Sequence, residues 1–398
     1  MKSKIKVLFL SPYEILDENL NGVNKINVNI LIHLIEQCSF TIIQPSYDLN
    51  SALAGECEII MRTKVNENPS RIASILSLYS KDEIIFKSYT REVAALINEI
   101  VDDFDVIHIS SFQLSTVIPM LSNKARKKVI FFAIDSKVLH ETTRTEDTVG
   151  LGYLYRKFLS LKSIVATKYV YSKVSNICFV GKKDADVTKT LLPKNILVDY
   201  IPNGVALDHD RKYSFSNSKE KLVMVFHGDM YYPPNQIAIK KLLSILPTIK
   251  SLIEINVIIK VIGNGSKELN NPSVGVFGLG FIDDLYDELS SADLYISLVE
   301  TGAGIKNKIL DAMSVGLPIL ATDRCMEGIE YAKQGVNYIS INTNNINTLV
   351  EAIVCIHTNR KLAIEMSHNN IECVQMYYSW EKVSDRYYEM YKRLASND

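Results

Sequence analysis

The sequence has almost no net charge and contains no long apolar run. Its 44 basic and 45 acidic side chains leave a formal charge of -1 at pH 7, so no global field attracts nucleic acid or an anionic surface. No apolar run approaches the roughly 20 residues that a membrane-spanning helix requires. The apolar stretch near the N-terminus is followed by Glu14 and Asp17 instead of the small residues of a cleavage site, and therefore predicts a first strand. We expect a cytoplasmic globular protein that binds no nucleic acid.

Patterns for metal binding and disulfide bonding are also scarce. The six cysteines include no Cys-x-x-Cys pair and no histidine at zinc spacing, so we expect them to be small buried residues. Three Asp-x-Asp triplets occur, at 103–105, 184–186 and 208–210. Such triplets are frequent by chance, and the second one opens a predicted helix, where carboxylates suit the helix dipole. The sequence therefore predicts no bound metal.

What the sequence does have is a regular alternation of short apolar runs and helical patterns, which is typical of βαβ units and a parallel sheet. With 398 residues, 47% of them hydrophobic, the chain can bury more than one core. The predicted strands form two series, separated by a polar stretch near 205–220. The first series lies at 4–10, 105–110, 128–134, 176–181 and 198–202, and the second at 221–228, 254–263, 273–280, 292–299 and 317–322.

Two series of similar size predict two Rossmann-like, doubly wound parallel-sheet domains that face a central cleft, with ligands at the carboxyl ends of the strands. We place the first domain at 1–205 and the second at 206–375. A closing helix is predicted at 376–398, and its lone tryptophan, Trp380, is expected to anchor it on a core.

Six segments follow one another in a distinctive order. They are NGVNKINVNILIHLI (21–35), FDVIHIS (104–110), YIPNGVALD (200–208), VFHGDMYYPPNQIAI (225–239), VIGNGSKEL (261–269) and GIKNKILDAMSVGLPILAT (304–322). Together they resemble the GT-B glycosyltransferases, especially the large retaining family of glycosyl transferases group 1. The resemblance implies an acceptor on the first domain, a nucleoside-diphosphate sugar on the second, and neither a metal nor another cofactor.

The stretch VETGAGIKNKILDAM (299–313) predicts an anion site at the start of a helix. If the helix begins near Gly304, its exposed N–H groups and its dipole favour a diphosphate there, and glycine lets the backbone approach closely. Lys306 and Lys308 add positive charge. The alternative is a solvated lysine pair, in which Lys308 forms an i,i+3 salt bridge with Asp311. The other five segments favour phosphate contact.

The chain departs from the family where a Glu, seven residues and a second Glu are usual. In the family the first Glu meets the hydroxyls of the donor sugar and the second grips the ribose. The corresponding positions here are Ala303 and Asp311. Asp311 can still accept bonds from a ribose, whereas Ala303 can accept none. Glu300 is the candidate replacement, with an ordinary carboxylate at a strand end as the alternative.

A second departure lies in FHGDMYYPPNQ. Family members often carry an Arg shortly after the glycine, here Gly228, and a Lys a few residues later, where this chain has Asp229 and Asn235. A departing diphosphate needs its charge stabilised, since electrostatic stabilisation is usually the largest catalytic contribution. Lys306 and Lys308 are the natural replacements.

Further donor contacts are expected from backbone groups in loops. The resemblance assigns recognition of the base to the loops after Gly263 and Gly280, the second of which contains Ile282. Gly22 follows the first strand and gives the backbone the freedom to close over the donor phosphates or to admit an acceptor. A plain turn glycine is the alternative at that position.

In the first domain, two positions are candidates for the acceptor side. His108 ends a predicted strand, and it either lines the acceptor site or is a satisfied buried histidine. The family often has a His-Asp or His-Gly pair after the next strand, where this chain has Ile134 and Asp135. Asp135 is the candidate to hold an acceptor hydroxyl or assist its deprotonation. In a retaining mechanism the departing phosphate can also take that proton.

No acidic residue occurs between Thr148 and Lys183, although this stretch contains several lysines and aromatic residues. A basic, aromatic helix suits an anionic membrane surface or a lipid-diphosphate acceptor. The alternative is a helix that packs on the core with its lysines in water.

The leading hypothesis is a metal-independent hexosyltransferase that moves a sugar to a glycan or lipid-linked saccharide, with retention, in polysaccharide synthesis. A nucleotide-sugar epimerase or hydrolase of the same fold is a second hypothesis. A degenerate relative that binds nucleotide sugar or a partner subunit without turnover is the third. The missing cations and the residues Ala303 and Ile134 motivate it.

Overall fold

The computed structural model describes residues 3–16, 22–45, 48–62, 90–146, 148–207, 220–253, 255–301 and 307–396. The chain divides into two compact units. The first comprises Met1–Asn203 and Val383–Asp398, and the second comprises Gly204–Lys382. The polypeptide therefore returns to the first unit within its last helix.

The first unit is built on a seven-stranded sheet with the order β3-β2-β1-β4-β5-β6-β7, in which all paired strands are parallel. Its strands are β1 (Ile5–Leu10), β2 (Cys38–Gln44), β3 (Glu58–Arg62), β4 (Val106–Ser110), β5 (Val129–Ile134), β6 (Asn176–Phe179) and β7 (Leu197–Tyr200). The strand order reverses between β1 and β4, which makes their carboxyl ends a topological switch point.

The second unit is built on a six-stranded parallel sheet with the order β10-β9-β8-β11-β12-β13. Its strands are β8 (Lys221–His227), β9 (Asn256–Ile262), β10 (Val276–Gly280), β11 (Leu294–Ser297), β12 (Ile319–Ala321) and β13 (Ile339–Ser340). The strand order reverses between β8 and β11. The prediction of two parallel-sheet, Rossmann-like domains is confirmed.

Helices separate most successive strands, as βαβ crossovers require, while the connections from β2 to β3 and from β9 to β10 contain 3-10 turns. The first unit contains α1 (Gly22–Leu34), α2 (Thr90–Ile100), α3 (Asn123–Lys127), α4 (Lys137–Glu146), α5 (Leu151–Tyr171) and α6 (Lys182–Lys189). The second contains α7 (Pro233–Leu252), α8 (Leu285–Ser290), α9 (Asn307–Ser314), α10 (Asp323–Met326), α11 (Ile346–Thr358) and α12 (Arg360–Tyr377). The last helix is α13 (Trp380–Ala395). None of the described helices is both long and apolar enough to cross a membrane.

The central strands are buried on both faces, which explains their continuous apolar sequences. The predicted strand at 273–280 starts three residues later than expected: the segment begins with a 3-10 turn at Pro272–Val274, and β10 follows only after Gly275, whose φ is +76°. Trp380 is 5% exposed, and an added Cβ at Gly204 would lie 2.4 Å from its ring. Trp380 is therefore buried as expected of an anchor, and the absence of a side chain at Gly204 leaves room for its indole ring.

Candidate functional site

Three glycines lie at or just beyond the carboxyl ends of the neighbouring strands β8, β9 and β10. The N–H of Gly263 donates to the carbonyl of Gly280 over 2.8 Å, and an added Cβ at Gly263 would lie 2.1 Å from the carbonyl oxygen of Gly228. All three have positive φ, with values of +146°, +119° and +77° in chain order. Backbone without side chains therefore lines this edge of the sheet, as close approach of a nucleotide requires.

Lys308, near the start of α9, brings a cation to this edge. Its Nζ donates a 2.5 Å hydrogen bond to Oδ1 of Asn235 and lies 4.7 Å from the centre of the Phe226 ring. An added Cβ at Gly228 would lie 3.1 Å from the same Nζ. Asn235 is 5% exposed, and its amide also donates to the carbonyl of Asp229 over 2.8 Å. The ammonium group is thus held beside the glycine loop that follows β8.

The cation also lies at the N-terminal end of a long helix. Asn235 belongs to the first turn of α7, which contains no acidic residue. That turn begins with Pro233 and Pro234, which have no N–H, and the N–H groups of Asn235 and Gln236 donate to the carbonyl of Tyr232. The helix end therefore favours an anion through its dipole and not through free N–H groups. The ammonium group of Lys308 lies beside this helix end, next to the switch point between β8 and β11.

Asp311 of α9 is held by two other elements. Its Oδ1 accepts a 3.1 Å hydrogen bond from the hydroxyl of Tyr286 on α8, and its Oδ2 lies 3.3 Å from Nε2 of His227 at the end of β8. Asp311 is 8% exposed. Burial and the charge of Asp311 raise the pKa of Tyr286, which keeps that hydroxyl a donor. Asp311 is therefore positioned before any ligand arrives.

Glu300, which follows β11, belongs to a third polar cluster. Its Oε2 lies 3.3 Å from Nζ of Lys241 on α7, and its Oε1 accepts a hydrogen bond from the hydroxyl of Thr343. Lys241 also donates to that hydroxyl. The Glu300 side chain is 45% exposed, so it is oriented by its partners and open to solvent. Such an arrangement can present a carboxylate to a sugar hydroxyl.

The remaining donor-side candidates divide into two groups. Gly304 and Lys306 lie outside the described residues, as does Ala303, so the expected start of the helix near Gly304 does too. Ile282 is partly buried and packs against the core of the second unit. Its backbone, which follows Gly280, is the part available for recognition.

His108 on β4 is fully buried. Its ring stacks on Phe9 with centroids 4.4 Å apart, and its Nδ1 lies 2.8 Å from the hydroxyl of Tyr391 on α13. Burial lowers the pKa of His108 to about 3, so the ring is neutral. This environment favours the second of the two interpretations of the sequence, a packed interior histidine, over a side chain that lines an acceptor site.

Asp135 follows a strained turn at the end of β5. Its N–H donates to the carbonyl of Ala133 over 3.0 Å, and the residue between them, Ile134, has φ of +70°. This is the geometry of a γ-turn with a left-handed central residue, which is rare for a β-branched side chain. Strain of this kind tends to occur at functional sites. The turn leaves Asp135 exposed at the carboxyl edge of the first sheet.

The sequence did not single out the polar residues at the switch point of the first sheet. Asn27 on α1 is fully buried, donates to the hydroxyl of Ser11 over 3.1 Å, and accepts from that of Ser110 over 2.7 Å. It therefore joins the ends of β1 and β4. The available signal was an asparagine in the apolar face of a helix. Gly22 is exposed at the first position of the same helix.

The Asp-x-Asp triplet at 184–186 is accounted for by local structure. Asp184 lies in the first turn of α6, is 3% exposed, and accepts the N–H of Ser136 over 2.7 Å. Burial raises the pKa of Asp184 to about 6, against the opposite effect of that hydrogen bond. The triplet at 208–210 lies outside the described residues.

Part of the chain matches a known protein family. Residues 221–359 match the family described as glycosyl transferases group 1, which confirms the resemblance over most of the second unit. A comparison with curated protein sequences gave no significant match.

Solved structures resemble the whole chain. Anabaena HepE in complex with UDP and glucose is 12% identical with a TM-score of 0.61, and the alignment covers 97% of this chain and 99% of that chain. Sucrose-phosphate synthase from Thermosynechococcus elongatus is 14% identical with a TM-score of 0.71, over 99% and 100% of the two chains. WaaG, a glycosyltransferase involved in lipopolysaccharide biosynthesis, is 14% identical with a TM-score of 0.62, over 96% and 99%. At these identities the likeness establishes the fold, which is GT-B.

Proposed function

We propose that this chain, whose residues 221–359 match the glycosyl transferases group 1 family, transfers a sugar from a nucleoside diphosphate to a hydroxyl group of a glycan or lipid-linked saccharide. The observation that carries the proposal is the position of Lys308 beside Gly228 and the first turn of α7. An ammonium group, the positive end of a helix dipole and glycine backbone meet there, and all three suit a diphosphate.

The chemistry follows from where positive charge is placed. The bond between the anomeric carbon and the oxygen of the distal phosphate breaks, and the acceptor oxygen forms the new glycosidic bond to that carbon. The electron pair of the broken bond leaves on the nucleoside diphosphate, and the acceptor proton passes to that phosphate or to a carboxylate. Lys308 and the helix dipole stabilise the developing negative charge, which is the role that a divalent cation has in other transferases. The proposal is therefore a metal-independent reaction.

Side chains of the second unit have proposed roles on the donor. Asp311, held by Tyr286 and His227, accepts hydroxyl bonds from the ribose. Glu300, oriented by Lys241 and Thr343, accepts hydroxyl bonds from the sugar and replaces the carboxylate that Ala303 lacks. Lys306 and the backbone of Gly304 join Lys308 at the diphosphate in this proposal. The crystal structure of HepE with UDP-glucose supports UDP as the first nucleotide to test.

On the acceptor side, Asp135 is the proposed carboxylate, because the strained turn at Ile134 exposes it at the carboxyl edge of its sheet. Retention of the anomeric configuration and a role in cell-surface polysaccharide synthesis are part of the proposal through the family resemblance. Gly22, the first residue of α1, is the proposed glycine at which the backbone approaches the donor phosphates or admits an acceptor.

The function is tested by incubating the protein with a panel of UDP-, GDP- and ADP-sugars and with saccharide or polyprenyl-diphosphate saccharide acceptors, with and without EDTA. We expect one donor to give a glycoside that is detected by mass spectrometry, with equal yield in EDTA and with the donor's anomeric configuration in the nuclear magnetic resonance spectrum. Free sugar or an isomerised nucleotide sugar as the sole product would instead indicate a hydrolase or an epimerase. Tight binding of nucleotide without any product would indicate a degenerate binding protein.

A further inference from the structure

The helix α5 has an apolar face that points away from its own unit. The exposed members of this face follow each other at spacings of four, three, four and four residues, which places them along one side of a helix. They are Leu154 (65% exposed), Phe158 (48%), Leu161 (57%), Val165 (56%) and Tyr169 (49%). We call these five residues the outer stripe.

The opposite side of α5 packs against the sheet of the first unit. Ala166, Val170 and Tyr171 are buried, and the Tyr171 ring meets Phe131 of β5 edge to face with centroids 4.9 Å apart. A helix that only covers a sheet needs one apolar face, and its solvent face is normally polar. The outer stripe therefore adds nothing to the folding of the unit, and exposed apolar patches of this kind mark interaction sites.

Positive charge lines both edges of the outer stripe. Helical geometry places Lys157 and Lys168 along one edge, where both are exposed, and Lys162 along the other edge. Lys173 follows the end of α5, and its Nζ lies 4.6 Å from the ring centre of Tyr169 in the outer stripe. No carboxylate occurs in the sequence from 148 to 183.

We propose that α5 docks on a membrane surface rich in anionic phospholipids. The helix lies in the plane of the surface, with the outer stripe at the boundary between headgroups and acyl chains and the lysines on lipid phosphates. An apolar face bordered by lysine and tyrosine is the composition of helices that bind in this way.

Charge and composition favour a lipid surface over a protein partner or a second copy of the chain. Interfaces between proteins are depleted in lysine, whereas four lysines border this stripe. A second copy of the chain would bring like charges together along both edges, which disfavours a symmetric dimer. An anionic surface matches the charge and also accepts the apolar side chains.

The proposal is tested by flotation of the full-length protein with phosphatidylcholine vesicles, with and without phosphatidylglycerol. We expect the protein to float with the anionic vesicles only, and to float less as salt increases. The double substitution Phe158→Ser/Leu161→Ser should abolish flotation. The double substitution Lys157→Gln/Lys168→Gln should weaken it by about fivefold per lysine.

Matched controls come from the second unit. Ile237 and Leu252 on α7 are 58% and 52% exposed, so Ile237→Ser/Leu252→Ser removes similar apolar area elsewhere and should leave flotation unchanged. Circular dichroism melts should match the wild type for all variants, because the substituted side chains are exposed. Because flotation measures binding alone, the proposal stands or falls independently of transferase activity.

Three results would overturn the proposal. They are flotation of the outer-stripe variant at the wild-type level, equal or absent flotation of the wild type with both kinds of vesicle, and a wild-type dimer in sedimentation velocity that Phe158→Ser/Leu161→Ser converts to monomer. The last result would assign the outer stripe to self-association.

Discussion

At the scale of single residues, Lys308 and Asn235 form a pair whose roles we expect to be exchangeable. The two side chains share a 2.5 Å hydrogen bond, and an added Cβ at Gly228 would lie 2.8 Å from Nδ2 of Asn235 and 3.1 Å from Nζ of Lys308, so a lysine at 235 would also bring its ammonium group to this glycine. We expect Lys308→Asn to weaken UDP binding by about tenfold or more, because a charge-assisted contact to phosphate is lost. We expect the double variant Lys308→Asn/Asn235→Lys to recover most of that affinity. Isothermal titration calorimetry measures both.

The exposed Lys240 on α7 provides the control, since Lys240→Asn removes the same charge from the same unit without touching the glycine loop. In one contrary outcome, Lys308→Asn loses affinity and Asn235→Lys fails to restore it in a protein whose melting curve is normal. That result would mean that Lys308 acts through a contact that only its position on α9 allows. Unchanged affinity in the single variant would remove Lys308 from the diphosphate site.

Glu300 allows a separate test of sugar recognition. We expect Glu300→Gln to leave the affinity for UDP unchanged and to weaken the affinity for the nucleotide sugar that acts as donor, because only the sugar reaches this carboxylate. Comparing the two ligands on one variant separates contact with the sugar from a general disturbance of the Lys241 and Thr343 cluster. Equal weakening of both ligands would assign Glu300 a structural role only.

Residue types in the sequence predict a chemical role but not the partners of a side chain. The sequence predicts phosphate contact for Lys308, with a salt bridge to Asp311 as the alternative, and the phosphate contact stays a prediction. The structure gives Lys308 a bond to Asn235 and holds Asp311 with Tyr286 and His227, which come from other elements. Long-range partners of this kind have no sequence spacing, so no local pattern could reveal them.

At the scale of elements, the glycines at the ends of β8, β9 and β10 pack so closely that a change at one affects the others. Gly263→Ala should destabilise the second unit by about 2–4 kcal/mol, since its Cβ would fall 2.1 Å from the carbonyl oxygen of Gly228 and one strand end must move. Nucleotide binding should weaken in parallel. Gly335→Ala is the matched control: φ there is +77° but no atom lies within 4 Å of the added Cβ, so we expect a cost of about 1 kcal/mol.

Denaturant unfolding followed by the fluorescence of Trp380, the only tryptophan and part of the second unit, measures both costs. Equal destabilisation by the two substitutions would show that only the backbone conformation matters and that the strand ends tolerate a methyl group.

The elements that the sequence predicted well are those with continuous apolar runs. β4, β5 and β8 differ from their predicted bounds by one residue at an end, because strands buried on both faces carry a strong signal. β2, β3 and β13 were missed. The last has two residues, and β3 follows β2 after a short 3-10 turn instead of a long helix, so neither matched the expected alternation.

At the scale of the whole molecule, two buried groups in the first unit should give its stability opposite dependences on pH. The pKa of His108 falls from its usual 6.5 to about 3 through burial, so only the unfolded state takes up the proton between those values and acidification favours unfolding. The pKa of Asp184 rises from 3.8 to about 6, so the folded state keeps its proton longer and acidification from pH 6 favours folding. When the folded and unfolded pKa values of a group differ by one, the free energy of unfolding changes by about 1.4 kcal/mol, so either effect alone is measurable.

Single substitutions should separate the two effects. In Asp184→Asn the carboxyl no longer titrates while the amide oxygen can still accept the N–H of Ser136, so we expect a steeper loss of stability as pH falls from 6.5 to 4.5. In His108→Gln we expect the loss to disappear or to reverse over the same range. Hydrogen–deuterium exchange of β4 and β5 in moderate urea reports the first unit, and β8 in the second unit serves as the internal reference. Parallel pH profiles in wild type and both variants would show that the acid sensitivity of the first unit comes from surface charge and not from these two buried groups.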